Sequence, residues 1–137
     1  MSLGVPGRLH RMKTLLWINH VVIVLFAVSS GLFKLFGGAP DIEVFSHLGM
    51  SATLVAAFGG VQAAGGLGLV FARTRRPAAV VVTLSNALAT AGLFAAGIQP
   101  FGVISIAFIA MAALELRLGE RGALAIPRAA PRRPSRA

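Results

Sequence analysis

The chain has 137 residues, of which 56% are hydrophobic and 12% charged, and its mean hydropathy is +0.82. A soluble domain usually carries about twice that charged fraction, and one this small cannot bury so much apolar surface. The composition therefore predicts one domain whose solvent is a lipid bilayer. The absence of cysteine excludes disulfides, thiolate-bound metals and cysteine nucleophiles.

Four apolar segments of membrane-spanning length follow one another, over about residues 15–37, 51–71, 77–97 and 101–118. About 20 apolar residues in a helix cross the hydrocarbon core, and a helix satisfies its own backbone there. The breaks between the segments carry Gly, Pro and Arg, and the short ones make neighbouring helices antiparallel. We expect an all-α membrane protein: an antiparallel four-transmembrane-helix bundle over residues 15–118, after a basic segment, 1–14.

The break between the first two segments is longer than the others. Ile42, Phe45 and Leu48 recur in it at helical spacing, among polar residues that include Asp41 and Glu43. This pattern predicts a short amphipathic helix lying at the outer membrane surface.

Basic residues indicate how the bundle is oriented. The net charge is +9, and a four-span arrangement places twelve of the thirteen Lys and Arg residues on one side, with Lys34 alone on the other. Positive residues mark the cytoplasmic side, so both termini are expected there, in a prokaryotic inner membrane. The basic Pro/Arg-rich tail, 119–137, is expected to be disordered or to lie against anionic lipid headgroups. Because the charge is split between short clusters rather than gathered on one soluble face, we expect no nucleic-acid partner.

The second segment has small residues at every fourth position: Ala52, Ala56, Gly60, Ala64 and Gly68. Residues four apart share a helix face, and small side chains let helices approach closely in lipid. This face is therefore predicted to pack against another helix.

Two amides lie near the middle of their segments, Gln62 in the second and Asn86 in the third. Polar groups inside a membrane are costly and need partners. Two interpretations fit: an amide hydrogen bond between the helices, or a polar floor for a ligand headgroup such as a quinone carbonyl.

Asn19, His20 and Glu115 each lie about one turn inside the cytoplasmic face, on the first and last segments. A hydrogen bond or ion pair between His20 and Glu115 is expected, as a structural tie between helices or as a proton-linked or ligand-binding pair. Lys34, near the outer end of the first segment, is expected either to extend toward the membrane surface or to pair with Asp41 or Glu43.

The chain resembles the DoxX-like proteins, small prokaryotic membrane proteins with four helices. The resemblance covers about residues 15–118 and is carried by SGLFKLFG (30–37), VFSHLGM (44–50), QAAGGLGLVFARTRRPAA (62–79) and two short final spans. It implies an accessory subunit of a membrane redox system, with no shared cofactor. Many relatives have Glu where this chain has Gln62, which weakens any expectation of charge chemistry at that position.

The sequence thus favours a non-catalytic accessory or structural subunit of a larger membrane complex, possessing neither catalytic nor metal-binding residues. Its partners would be other membrane subunits or further copies of itself. The alternative is a quinone- or lipid-binding oxidoreductase component using His20, Gln62, Asn86 and Glu115, quinone then being the one cofactor. A small transporter is the third hypothesis, which the lack of an inverted repeat disfavours.

Overall fold

A computed structural model describes residues 6–120, which form five helices and no strand. Residues 1–5 and the predicted tail from 121 onward lie outside the described residues. The first helix begins at Pro6, before its predicted apolar span of 15–37, and the helix of the second apolar segment ends at Gly68, earlier than the predicted residue 71. The helices are α1 (Pro6–Leu35), α2 (Ala39–Ser46), α3 (Ala52–Gly68), α4 (Arg75–Ala95) and α5 (Gln99–Glu120).

Three of these helices are long and apolar enough to cross a membrane, over His10–Leu35, Arg75–Ala95 and Gln99–Leu118. The fourth apolar helix, α3, is shorter, with 17 residues. Large apolar side chains cover the outside of the bundle, including Leu25 (64% exposed) and Leu84 (65%). Soluble monomers rarely expose such continuous apolar surface, so these features indicate a membrane protein.

Glycine ends three of the helices. Gly37, Gly49 and Gly97 follow α1, α2 and α4 with φ between 73° and 76°, a conformation that favours glycine. Around Gly97, Ile98 N donates to Leu93 O at 2.8 Å, a bond that closes a helix end. The predicted short amphipathic helix between the first two segments is present as α2, and its Val44 and Phe45 are buried.

Glycines also set the contact between α1 and α3. A Cβ added to Gly59 would lie 2.5 Å from Gly31 O and 2.7 Å from Leu35 N, so the two backbones nearly touch. This close face differs from the predicted stripe of small residues at every fourth position. Within that stripe Ala52 and Ala64 are exposed, whereas Gly68 packs against α4, where an added Cβ would lie 2.9 Å from Ala78 Cβ.

The basic segments share one end of the bundle. His20 in the middle of α1, Arg75 at the start of α4 and Glu115 near the end of α5 meet there. We call this the basic end. Farther along the same two helices, Lys34 of α1 lines one cavity with Ala89 of α4, so α1 and α4 run in the same direction. α3 lies between them in sequence, packs against both and runs in the opposite direction.

Candidate functional site

Four polar side chains form a cluster at the basic end, which we call the Glu115 cluster. Glu115 is completely buried, and its two oxygens lie 3.0 Å from His20 Nδ1 and 3.0 Å from Asn19 Nδ2. Arg75 Nη2 lies 3.4 Å from the other ring nitrogen, His20 Nε2. The cluster therefore joins α1, α4 and α5, the three long helices.

The donors and acceptors of the Glu115 cluster fix the form of His20. Arginine only donates hydrogen bonds, so Nε2 accepts from Arg75 and Nδ1 carries the proton that is donated to Glu115. His20 thus links Arg75 to Glu115 through its two ring nitrogens. Such a chain can hold helices together, and a proton can move only between His20 and Glu115, because a guanidinium keeps its own.

A second polar group lies inside the bundle. Gln62 Nε2 donates to Asn86 Oδ1 at 3.2 Å, and Asn86 Nδ2 lies 3.5 Å from Phe108 O. Both side chains are only 1% exposed. Gln62 Oε1 is buried without a hydrogen-bond partner among the described residues. The two amides predicted to meet are therefore in contact, and one acceptor is left over.

This asymmetry predicts different effects for the two amides. Gln62→Met should change the free energy of unfolding by less than about 1 kcal/mol, because the unpaired Gln62 Oε1 that it removes offsets the unpaired Asn86 Oδ1 that it creates. Asn86→Leu should cost about 1–2 kcal/mol, because it leaves both polar atoms of Gln62 unpaired. Unfolding of each variant in a mild detergent provides the measurement. Equal losses in both would contradict the assignment of the unpaired oxygen.

Lys34 differs from the expectation that it extends toward the membrane surface. It is 3% exposed, and its Nζ donates to Ser30 Oγ at 2.7 Å and lies 5.8 Å from the centre of the Phe45 ring. Among the described side chains it forms no ion pair with Asp41 or Glu43. Bonding to Ser30, one turn earlier on the same helix, turns the ammonium back into the bundle instead of toward solvent.

Sequence reasoning missed two participants. Arg75 was used only as evidence of orientation, although its position at the start of α4 brings it against His20. Ser30 belongs to the motif SGLFKLFG and precedes Lys34 by four residues, a spacing that places both side chains on one helix face and could have predicted their contact. None of His20, Gln62, Asn86 and Glu115 lines the cavity of about 180 Å³ beside Lys34. Among the side chains that the structure describes, no three His, Asp or Glu residues gather as a metal site would require.

No protein-family model matches this chain, and no curated protein or solved structure is detectably similar to it. The resemblance to the DoxX-like proteins therefore stays a prediction.

Proposed function

We propose that this chain is a four-span protein of the prokaryotic cytoplasmic membrane that acts as an accessory subunit of a larger membrane complex. The observation that carries the proposal is the way its intramembrane polar groups are used. His20 bonds to Glu115 and Gln62 to Asn86, so these groups mainly hold the helices to each other. An arrangement of this kind builds a scaffold more readily than a reaction centre.

The direction of the helices supports four spans. Because α1 and α4 run the same way, a chain that crosses the bilayer in both must cross back between them. The helix available for that crossing is α3, whose 17 residues extend about 25 Å. Apolar residues Leu69, Val70 and Phe71 follow it directly. An even number of spans places both termini on the cytoplasmic side, where the basic end belongs.

Reporter fusions test this topology. Alkaline phosphatase fused after Gly97 should be active, since that turn lies at the periplasmic side in the proposal. Green fluorescent protein fused after Arg76 or after Arg117 should fluoresce, since both positions are cytoplasmic. A fusion after Gly97 that behaves as cytoplasmic would rule out four spans.

The outward face of α3 supports an accessory role. Ala52, Ala57 and Ala64 are exposed there, and a Cβ at Gly60 would meet only Leu35 Cδ1, at 3.8 Å. Small residues on a lipid-facing helix permit close packing against another membrane helix. The resemblance to DoxX-like proteins points to the same kind of role.

Cross-linking in native membranes tests the accessory role. The chain lacks cysteine, so a single cysteine at Ala64 carries a photoreactive probe without background. We expect one adduct of defined mass with a different membrane protein, lost when Gly60→Leu fills the face. A probe at Leu84, which is exposed on α4, is the matched control. Adducts only between copies of this chain would indicate a homo-oligomer instead of an accessory subunit. Equal labelling from the probes at Ala64 and Leu84 would show that the α3 face is not a specific interface and would contradict the proposal.

One observation favours the alternative of a quinone- or lipid-binding component. The unpaired Gln62 Oε1 is an acceptor for a hydroxyl, such as that of a quinol. Titration with a short-chain quinol should then give binding that Gln62→Leu and Asn86→Leu both weaken. Unchanged binding in both variants removes this site.

A further inference from the structure

A cavity of about 180 Å³ lies at the end of the bundle opposite the basic end, among α1, α2, α4 and α5. Its walls are mainly aromatic and aliphatic, and Phe26 and Phe108 stack against each other there with ring centres 3.6 Å apart. Its polar lining residues are Ser30, Lys34, Asp41 and Ser105. Of these, Ser105 already bonds to Thr90. The cavity is therefore amphipathic, with a cation among its polar groups. We call it the Lys34 cavity.

The ammonium of Lys34 has an incomplete set of partners. Within the described residues its hydrogen-bond acceptors are Ser30 Oγ at 2.7 Å and Ser30 O at 3.4 Å, both uncharged. An ammonium has three N–H donors, so one remains for another acceptor. No carboxylate of the described chain lies within ion-pair distance of it. A buried cation without an anion is costly, so an incoming anion gains a strong, charge-assisted hydrogen bond.

Asp41 also lines the cavity, and its electrostatics allow an anion to bind. Burial raises the pKa of Asp41 above its usual value, and the nearby charge of Lys34 lowers it by less. A raised pKa lowers the average negative charge on this carboxyl and so weakens its repulsion of a bound anion.

The cavity opens toward the side of the bundle. Phe101 (63% exposed) and Ile104 (56%) line it while also facing outward from α5. α1 packs mainly on α3, and α5 mainly on α4, so the contact between α1 and α5, which includes the stacked rings of Phe26 and Phe108, is the sparser one. We call this line of sparse contact the seam. If the chain spans a membrane as proposed, this opening faces the hydrocarbon near the headgroups.

We propose that the Lys34 cavity binds an amphipathic anion, with its carboxylate or phosphate on the Lys34 ammonium and the first part of an acyl chain against Phe26, Phe101 and Phe108. The volume is below the roughly 300–1,000 Å³ of pockets that enclose whole drug-sized ligands. The cavity therefore holds a headgroup and a short stretch of one chain, and the rest of the chain runs out along the seam. A free fatty acid and an anionic phospholipid both have this chemistry.

Photolabelling of the purified full-length chain tests the proposal. The chain is placed in phosphatidylcholine nanodiscs and labelled with palmitate carrying a diazirine, and the adducts are mapped by mass spectrometry. We expect adducts on residues around the seam and competition by dodecanoate but not by dodecanol, which has the same chain without the charge. A parallel experiment uses phosphatidylglycerol that carries a diazirine. If this phospholipid labels the chain and palmitate does not, the bound anion is a phospholipid and not a free fatty acid.

Variants separate the role of Lys34 from general folding. Lys34→Met should weaken labelling about tenfold or more, and Lys34→Arg should restore part of it. Lys13→Met removes the same charge from an exposed position on the same helix and should change nothing. Ala89→Leu fills the cavity wall and should block labelling even if Lys34→Met folds poorly.

Equal competition by dodecanol, or undiminished labelling in both Lys34→Met and Ala89→Leu, would overturn the proposal. A failure of this binding proposal can be told apart from a failure of the proposed accessory function. The labelling uses the isolated chain and needs no partner, and a chain that does not enter nanodiscs contradicts the membrane assignment instead.

Discussion

Replacing Glu115 by leucine should lower the free energy of unfolding in mild detergent by about 2–4 kcal/mol, because two donors lose a buried acceptor and each such loss costs about 1–3 kcal/mol. The carboxylate is completely buried and accepts bonds from both Asn19 and His20. Its loss leaves the His20 Nδ1 proton and the Asn19 amide without that acceptor. Chemical unfolding followed by circular dichroism measures the change.

The double variant His20→Leu with Glu115→Leu is the decisive control. Replacing both members of a buried pair by apolar residues is often nearly neutral, because neither member is left without its partner. Arg75 keeps its charge in the double variant, but it is only half-buried and can reach water. The double variant should therefore be more stable than Glu115→Leu alone. Additive losses would show that the two side chains act independently, contrary to the contact of 3.0 Å between them.

Gly59→Ala should reduce the free energy of unfolding by about 1–3 kcal/mol, a typical cost of overfilling a tight contact. The added methyl would lie 2.5 Å from Gly31 O and 2.7 Å from Leu35 N, both backbone atoms that cannot move separately. α1 and α3 would have to separate, which removes the van der Waals packing that holds helices together in lipid.

Gly60→Ala is its matched control. The two glycines are adjacent in α3, so both substitutions bring the same gain in helix propensity of about 1 kcal/mol. The methyl at residue 60 meets only Leu35 Cδ1, at 3.8 Å, an ordinary contact. This variant should therefore equal or exceed the stability of the parent chain. Similar losses in the two variants would contradict the close approach at Gly59.

Much of the fold could be predicted because hydropathy and turn residues act locally. The apolar runs around Leu25, Leu84 and Ile106 indicate helices wherever they lie, and Gly97 with Pro100 marks a tight connection. The contacts His20–Glu115 and Gln62–Asn86 could be predicted because the two residues of each pair lie at a similar depth in their segments. A polar group inside a membrane needs a polar partner, and the one at the same depth is within reach.

The rest depended on the rotation of each helix, which spacing alone does not determine. Small residues make up both the stripe through Ala56 and Ala64 and the face of Gly59 and Gly66. Only the packing of the bundle determines that the second face contacts α1. Lys34 is a similar case. At a helix end either a surface or an interior position satisfies an ammonium, and the bond to Ser30 selects the interior one.

The Glu115 cluster also has a consequence for biosynthesis. Asn19 and His20 precede Glu115 by 96 and 95 positions along the chain. During translation the first helix enters the membrane long before the ribosome has made its carboxylate partner. Until the last helix arrives, two polar side chains of the nascent protein have to be sheltered by water, by an insertase or by another subunit. Completion of the fold is thereby tied to completion of synthesis.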